Sequence, residues 1–492
     1  MSEHAQQSAA PAAPAPGSTG LSAEPTPGLS RGLRQRHVTM IGFGGIIGAG
    51  LFVGSGAVIN QAGPAAVVSY LIAGVLVILT MRMLGEMAVA RPTTGSFVEY
   101  ARAGLGERAG FVSGWLYWYF WVIVLAVEAV AGATIIQQWI PGLPIWVSSL
   151  VLMMLLTATN LASVRSYGEF EFWFASIKIA AIIVFSIVMI AAIVGVISGT
   201  GASTSNLSTH GGFFATGGIA VLSAVVSVMF AIIGGEIATI AAAESDSPAK
   251  AVARTTQLLA VRVSIFYILS VLLIVIVKPW NSTEVGASPF SAALDQVGIP
   301  ATAQIMNAIV LVAVLSCLNS GIYIASRMMF VLAGNGDAPK SMVQVNRRGV
   351  PTRSILAATV VGYVSVIFAA ISPDGIFQFL LNSSGVVVLL VYVMIAASEL
   401  VLRRRLERND PASLTLKMWG FPYVTIGVIV AMLAVLVSMI FIADVRSQLY
   451  LSLASAVVVL LAYEVVRRVR DPQRTNLRER DVIGVARSTT GS

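Results

Sequence analysis

The chain is a succession of long apolar runs separated by short polar stretches. A helix that crosses a bilayer needs about 20 mostly apolar residues. Runs of that kind fall near 38–58, 64–85, 110–138, 144–163, 170–197, 217–243, 255–279, 303–333, 354–372, 376–402, 419–442 and 448–468, and they predict twelve transmembrane spans. None alternates with period two, so a transmembrane β-barrel is excluded. Residues 1–30 are rich in Ala, Pro, Ser, Thr and Gly and lack the apolar stretch of a cleavable signal. They predict a disordered cytoplasmic tail, and 471–492 a second one, flanking a membrane domain over 31–470.

Two of the runs are interrupted. The first contains Gly44-Gly45-Ile46-Ile47-Gly48-Ala49-Gly50, and the sixth contains Phe230-Ala231-Ile232-Ile233-Gly234-Gly235-Glu236. Each Gly weakens a helix by about 1 kcal/mol relative to Ala. Unwound backbone at membrane depth is tolerated only where it is buried in protein or lines a cavity. The two runs stand five spans apart, an odd number of crossings, so the halves about 38–200 and 217–402 are inverted relative to each other. Broken helices at matching places in inverted halves point to a midplane binding site. N–H groups near Ile47 to Ala49 suit a carboxylate, and carbonyls around Phe43 and Phe230 to Ile232 suit an ammonium. The predicted guest is a small zwitterion, with Gly44, Gly45, Ile46, Ile47, Gly48, Ala49, Phe230, Ile233, Gly234 and Glu236 around it. Close helix packing through small residues is the alternative reading of the first glycine cluster.

Composition agrees with a membrane protein. The 492 residues are 57% hydrophobic and 11% charged, with a mean hydropathy of +0.84. Soluble domains carry about 25% charged residues, so too few charges are present to coat a water-facing surface. The net charge of +8 suggests nucleic acid until its placement is read. With the N-terminus inside, only Lys278 and Arg446 fall in the predicted outer loops, and Lys178, Arg262 and Arg327 fall within spans. The other basic residues lie on the cytoplasmic side, which places both termini there. The charge is spread over loops of one membrane face, so no nucleic-acid partner is expected; the bilayer is. The single Cys, Cys317, gives no disulfide framework. His4, His37 and His210 have no metal-ligand spacing, and neither metal nor cofactor is expected. The polar loops hold no nucleophile–base pair, which argues against an enzyme.

Ionisable residues inside spans are costly and are functional candidates. Lys178 lies eight residues past Phe170, about 12 Å deep. A lysine can release its proton when desolvated, and Lys178 is the candidate carrier of a coupling proton; snorkelling to the interface is its alternative. Snorkelling is the preferred reading for Arg262 and Arg327. Glu128 and Glu236 could meet a substrate amine or tie unwound backbone. The aromatic run from Trp115 to Trp121 reads as helix packing or an interfacial belt.

The order of several blocks resembles the amino acid–polyamine–organocation superfamily and its bacterial amino acid transporter family. They are Arg36-His37-Val38, Gly44 to Gly54, Gly85-Glu86-Met87, Gly95-Ser96-Phe97, Gly168 to Trp173 and Glu244-Ser245-Asp246. Within the family, Gly114 to Trp118, Ile240 to Asp246, Ser316-Cys317-Leu318-Asn319-Ser320 and Arg327-Met328 are most similar to members that carry 4-aminobutyrate (GABA). The resemblance departs in span one, where a Ser-containing glycine stretch is replaced by Ala49-Gly50. It implies an all-α, LeuT-type fold with two inverted five-helix repeats plus two further helices, and a multi-pass protein of the bacterial inner membrane. It also implies proton-coupled uptake, Lys178 in the place of a sodium ion, and a span-eight polar face of Cys317, Asn319, Ser320 and Tyr323 lining the channel; Glu128, by its depth in span three, is a further candidate channel residue. Import of GABA by proton symport is the expected function. A permease for proline, alanine or glycine, an amino acid exchanger, and a membrane sensor are its rivals.

Overall fold

The structure is a computed structural model, and it describes residues 47–91, 97–162, 164–197, 201–236, 262–371 and 373–469, with Met40, Thr93, Arg254 and Leu258. The predicted tails and the first part of span one, including Gly44, Gly45 and Ile46, lie outside the described residues.

Among the described residues the regular elements are all helical. The first predicted span carries α1 (Ala49–Phe52) and α2 (Gly54–Ala62). Then follow α3 (Ala66–Ala90), α4 (Phe97–Leu105), α5 (Glu107–Trp139), α6 (Ile145–Ala162), α7 (Val164–Ile193) and α8 (Gly218–Ile232). A π-helical stretch, Val263–Leu269, leads into α9 (Ser270–Val277). After α10 (Thr283–Ala287) and α11 (Pro289–Gln296) come α12 (Thr302–Gly334), α13 (Thr352–Ile371), α14 (Pro373–Asn409), α15 (Tyr423–Ser438) and α16 (Ala443–Val469). Eight helical stretches among the described residues are long and apolar enough to cross a membrane, the first running through the turn at Gly63–Ala65 from Ala49 to Ala90. Three shorter apolar helices, Gly218–Ile232, Ile265–Val277 and Thr352–Val364, occupy the sixth, seventh and ninth predicted runs.

Burial sorts these helices into a centre and a rim. In α5 and α12 the most apolar 18-residue windows are 78% and 72% buried, whereas the window in α16 is 17% buried. The two central helices lie against each other, and α6, α7 and α13 close around α12. Val458, Leu461 and Val465 of α16 and Trp173, Val184 and Ile187 of α7 point outward. A water-facing surface does not carry apolar area on this scale, and hydrocarbon accepts it without cost.

Three short helices lie outside the predicted spans, and local signals explain each. In α4 the residues Phe97, Val98, Tyr100, Ala101 and Gly104 are buried at helical spacing, and Arg102 ties α4 to Asp337 and Glu107 through ion pairs. The Ser282 hydroxyl accepts a hydrogen bond from the Val285 N–H at 3.3 Å and caps α10. Pro289 opens α11 at a position that needs no N–H donor.

Helix α10 lies on α2 through a close backbone approach. A Cβ on Gly56 would stand 2.5 Å from the Gly286 carbonyl oxygen and 2.7 Å from that of Val285. Backbone cannot yield as a side chain can, so overpacking outweighs the helix propensity gained. Gly56→Ala is therefore expected to destabilise the protein by about 1–3 kcal/mol. Gly427→Ala, where a Cβ meets nothing within 4 Å, is expected to leave stability unchanged or raise it. Thermal unfolding of both variants in detergent checks the contrast.

Candidate functional site

Among the described residues, a helix end lies at each glycine cluster. Ile47 has no helical assignment, Gly48 is extended (φ −121°, ψ −154°), and α1 begins at Ala49. Helix α8 ends at Ile232, Ile233 is extended (φ −50°, ψ 152°), and Gly234 has φ +114°, a conformation that favours glycine. The two interrupted segments touch: a Cβ on Gly50 would lie 3.0 Å from the Ala231 Cα.

A small cavity lies at this contact. It is lined by Gly50 from α1, by Phe120, Trp121, Val124 and Glu128 from α5, by Phe230, Ala231 and Ile233 from α8 and its break, and by Cys317 from α12. Glu128 Oε2 accepts a hydrogen bond from the Ala49 N–H at 3.4 Å, so a carboxylate of the chain itself stands at the start of α1. Gly48 makes this possible: a Cβ there would stand 2.5 Å from Glu128 Oε1 and 2.9 Å from Cys317 Cβ. Phe120 and Trp121 wall the cavity from α5, and Phe120 meets the Phe230 ring edge-on at 5.7 Å. The aromatic run therefore serves helix packing and, at these two positions, the cavity wall.

The unwound backbone is held by buried charged side chains. Lys178 is 0% exposed, and its Nζ donates to the Ile47 carbonyl at 2.9 Å and to Ser316 Oγ at 2.7 Å. Glu236 is equally buried and turns back on its own break. Its Oε2 accepts from the Gly234 N–H at 3.2 Å and from the Tyr392 hydroxyl of α14 at 2.7 Å. That is the backbone-tying role, one of the two readings open to it. Arg262 Nη2 donates to the Ile232 carbonyl at 3.4 Å, which occupies one of the carbonyls expected to meet an ammonium.

Snorkelling is corrected for both arginines. Arg262 is 0% and Arg327 2% exposed. Each finds partners inside the protein rather than at an interface, Arg262 at the α8 carbonyl and Arg327 over the Tyr323 ring at 3.9 Å. Sequence position gave their depth along a span but not the helices that surround them.

The predicted channel residues divide. Glu128 and Cys317 line the cavity. Asn319 accepts from Asn160 Nδ2 of α6 at 2.9 Å, Ser320 meets the Tyr167 hydroxyl of α7 at 3.3 Å, and Tyr323 stacks on Tyr167 at 4.2 Å. These three sit on the side of α12 that faces α6 and α7. Arg262 and Tyr392 hold the second break and Ser316 accepts from the Lys178 ammonium that holds the first, and none of the three stood among the predicted site residues. A helical spacing of four links Ser316 to Ser320, which is the one signal the sequence offered for Ser316.

The "Amino acid permease" family model matches residues 37–476. The gamma-aminobutyric acid permease of Bacillus subtilis (strain 168) is 49% identical over 442 residues, covering 90% of this chain and 94% of that protein. The gamma-aminobutyric acid permease of Escherichia coli (strain K12) is 46% identical over 415 residues, covering 84% and 89%. Among solved structures, a manganese transporter of Eremococcus coleocola, in complex with an aromatic bis-isothiourea substituted compound, shares the fold. It superposes with a TM-score of 0.51 at 14% identity, over 89% of this chain and 92% of that one.

Removal of the Tyr392 hydroxyl leaves a buried carboxylate oxygen short of a donor, at a cost of about 1–3 kcal/mol. Tyr392→Phe is therefore expected to lower the melting temperature in detergent. An unchanged transition would mean that Glu236 does not depend on α14.

Proposed function

The chain belongs to the amino acid permease family, and on that premise we propose that it imports 4-aminobutyrate by proton symport through alternating access. The carrying observation is the meeting of two helix breaks at one buried cavity that contains a carboxylate, Glu128. Identity of 46–49% to two gamma-aminobutyric acid permeases supports the choice of substrate.

The reading takes the architecture as twelve crossings, two inverted five-helix repeats and two further helices, in a bacterial inner membrane with both termini cytoplasmic. The fold shared with a solved transporter and the one-sided basic loops support it.

In this reading the cavity wall and the neighbouring break together give each end of a zwitterion a partner. Glu128 offers negative charge to the ammonium. The N–H groups from Ile47 to Ala49 offer the positive end of a peptide dipole to the carboxylate. Since Glu128 holds the Ala49 N–H in this structure, substrate binding exchanges that bond: Glu128 turns to the ammonium and the substrate carboxylate takes the vacated N–H. Gly48 keeps the backbone close enough for the exchange.

Lys178 connects this event to a proton. As an ammonium it makes charge-assisted bonds to Ile47 and Ser316, about twice as strong as neutral ones. Loss of the proton weakens its hold on the break and lets the resumed helix shift. One charge moving inward with the membrane potential contributes about 2.3 kcal/mol per 100 mV to accumulation.

Reconstituted vesicles test the assignment. Labelled 4-aminobutyrate is expected to accumulate in sodium-free buffer under an inward proton gradient and to stop accumulating when a protonophore is added. Undiminished accumulation without the gradient rejects symport, and stronger competition by proline, alanine or glycine than by unlabelled 4-aminobutyrate reassigns the substrate. Lys178→Ala is expected to abolish concentrative uptake under the same gradient; wild-type accumulation in this variant clears Lys178 of the role.

A further inference from the structure

A second buried carboxylate stands beside Lys178 and has no part in the reading above. Glu171 lies seven residues before Lys178 on α7, about 10 Å along the axis, and is 0% exposed. Its Oε1 accepts a hydrogen bond from the Ser316 hydroxyl at 2.6 Å. The same hydroxyl accepts from Lys178 Nζ at 2.7 Å. A hydroxyl has one proton to give and lone pairs with which to accept another, so the three groups form an unbroken chain from amine to carboxylate.

The chain continues into a polar seam. Glu171 Oε2 lacks a hydrogen-bond partner of good geometry, and Asn319 and Ser320 lie beside it. Ser320 meets the Tyr167 hydroxyl, and Asn319 is held by Asn160. These groups lie between Lys178 and the end of the membrane at which α7 begins. Asn319 and Ser320, predicted channel residues that do not line the cavity, therefore belong to this seam, and Tyr323 stacks on its Tyr167.

A counter-ion alone would be expected to touch the ammonium, as a buried pair must to offset its desolvation. Here a hydroxyl is interposed, with bond lengths of 2.7 and 2.6 Å on its two sides. The other charged or titratable groups that face the pair among the described residues are Glu128 of α5, Arg262 ahead of the π-helical stretch and Cys317 of α12. All three lie outside this chain of bonds.

We propose that Glu171 is the inner acceptor of the coupling proton, taking it from Lys178 through Ser316 and passing it on along the polar seam of α7 and α12. The proposal rests on the proton-symport reading. In the transfer, a Lys178 N–H bond breaks and a Ser316 O–H bond forms, while the former Ser316 proton bonds to Glu171 Oε1. The ammonium becomes a neutral amine, the carboxylate becomes a carboxylic acid, and the hydroxyl is unchanged. The pair has zero net charge before and after, so no isolated charge is left in the low-dielectric interior.

Glu171→Gln keeps an acceptor for Ser316 but cannot take up a proton. In proteoliposomes its gradient-driven uptake of 4-aminobutyrate is expected to fall about tenfold or more, while counterflow exchange at equal pH stays within about twofold of wild type. Wild-type gradient-driven uptake in E171Q overturns the proposal. Equal loss of counterflow and driven uptake in a folded, monodisperse E171Q also overturns it, because a structural role would do the same. If E171Q does not fold, Ser316→Ala, which deletes the bridging hydroxyl, carries the test: loss of driven uptake with counterflow kept within about twofold supports the relay, and wild-type driven uptake or equal loss of both overturns it. Should the wild-type protein itself ignore the proton gradient, the symport reading falls and Glu171 with it. A wild type that responds alongside an equally responsive E171Q removes Glu171 alone.

Discussion

Peptide groups inside a bilayer must find partners within the protein, because hydrocarbon offers none. A continuous helix meets this demand by itself; an interrupted one does not. The two interruptions here are each supplied from outside their own helix. Lys178 reaches Ile47, Glu128 reaches Ala49, and Arg262 reaches Ile232. Glu236 folds back on Gly234 and is held in turn by Tyr392. The four buried charges and the two unwound segments are therefore one arrangement. The charges satisfy the peptide groups, and the peptide groups and neighbouring hydroxyls make the charges tolerable at depth.

This arrangement explains the position of the cavity. It lies where α5 and α12, the most buried helices, meet the two breaks. A rigid, fully wound pair of helices at the same place would pack shut. Gly48 and Gly50 keep the segments close without filling the space. Glu128 is at once a wall of the cavity and a partner of the backbone, so any occupant that draws it away also alters the helix start at Ala49.

Much of this was legible in the sequence. Apolar run length predicted the helices, since every predicted run carries one, and the glycine clusters fall at the described helix ends at Ala49 and Ile232. Lys178 stood out because an ionisable group in a long apolar run demands a partner. What stayed hidden was the identity of the partners. Ser316 and Tyr392 reach the side chains that hold the breaks, Lys178 and Glu236, from helices distant in the chain, and no local pattern reports which helix faces which. The same limit misplaced Arg262 and Arg327, whose depth was readable but whose enclosure was not. It also grouped Asn319, Ser320 and Tyr323 with Cys317, although one helix presents them to different neighbours. The helices α4, α10 and α11 escaped a search tuned to spans, while their caps and amphipathic spacing were present in plain view.

The contact between Gly56 and Gly286 has a mechanical consequence. Main chain meets main chain there, and the Phe290 ring sits between Phe52 at 5.0 Å and Phe185 at 4.7 Å. The α10–α11 segment is thus clamped to the resumed first helix rather than hung loosely across the loop. A tilt of that helix drags the segment with it as a lever drags its load, so reshaping of the backbone at Gly48 and displacement of the α10–α11 segment become a single stroke.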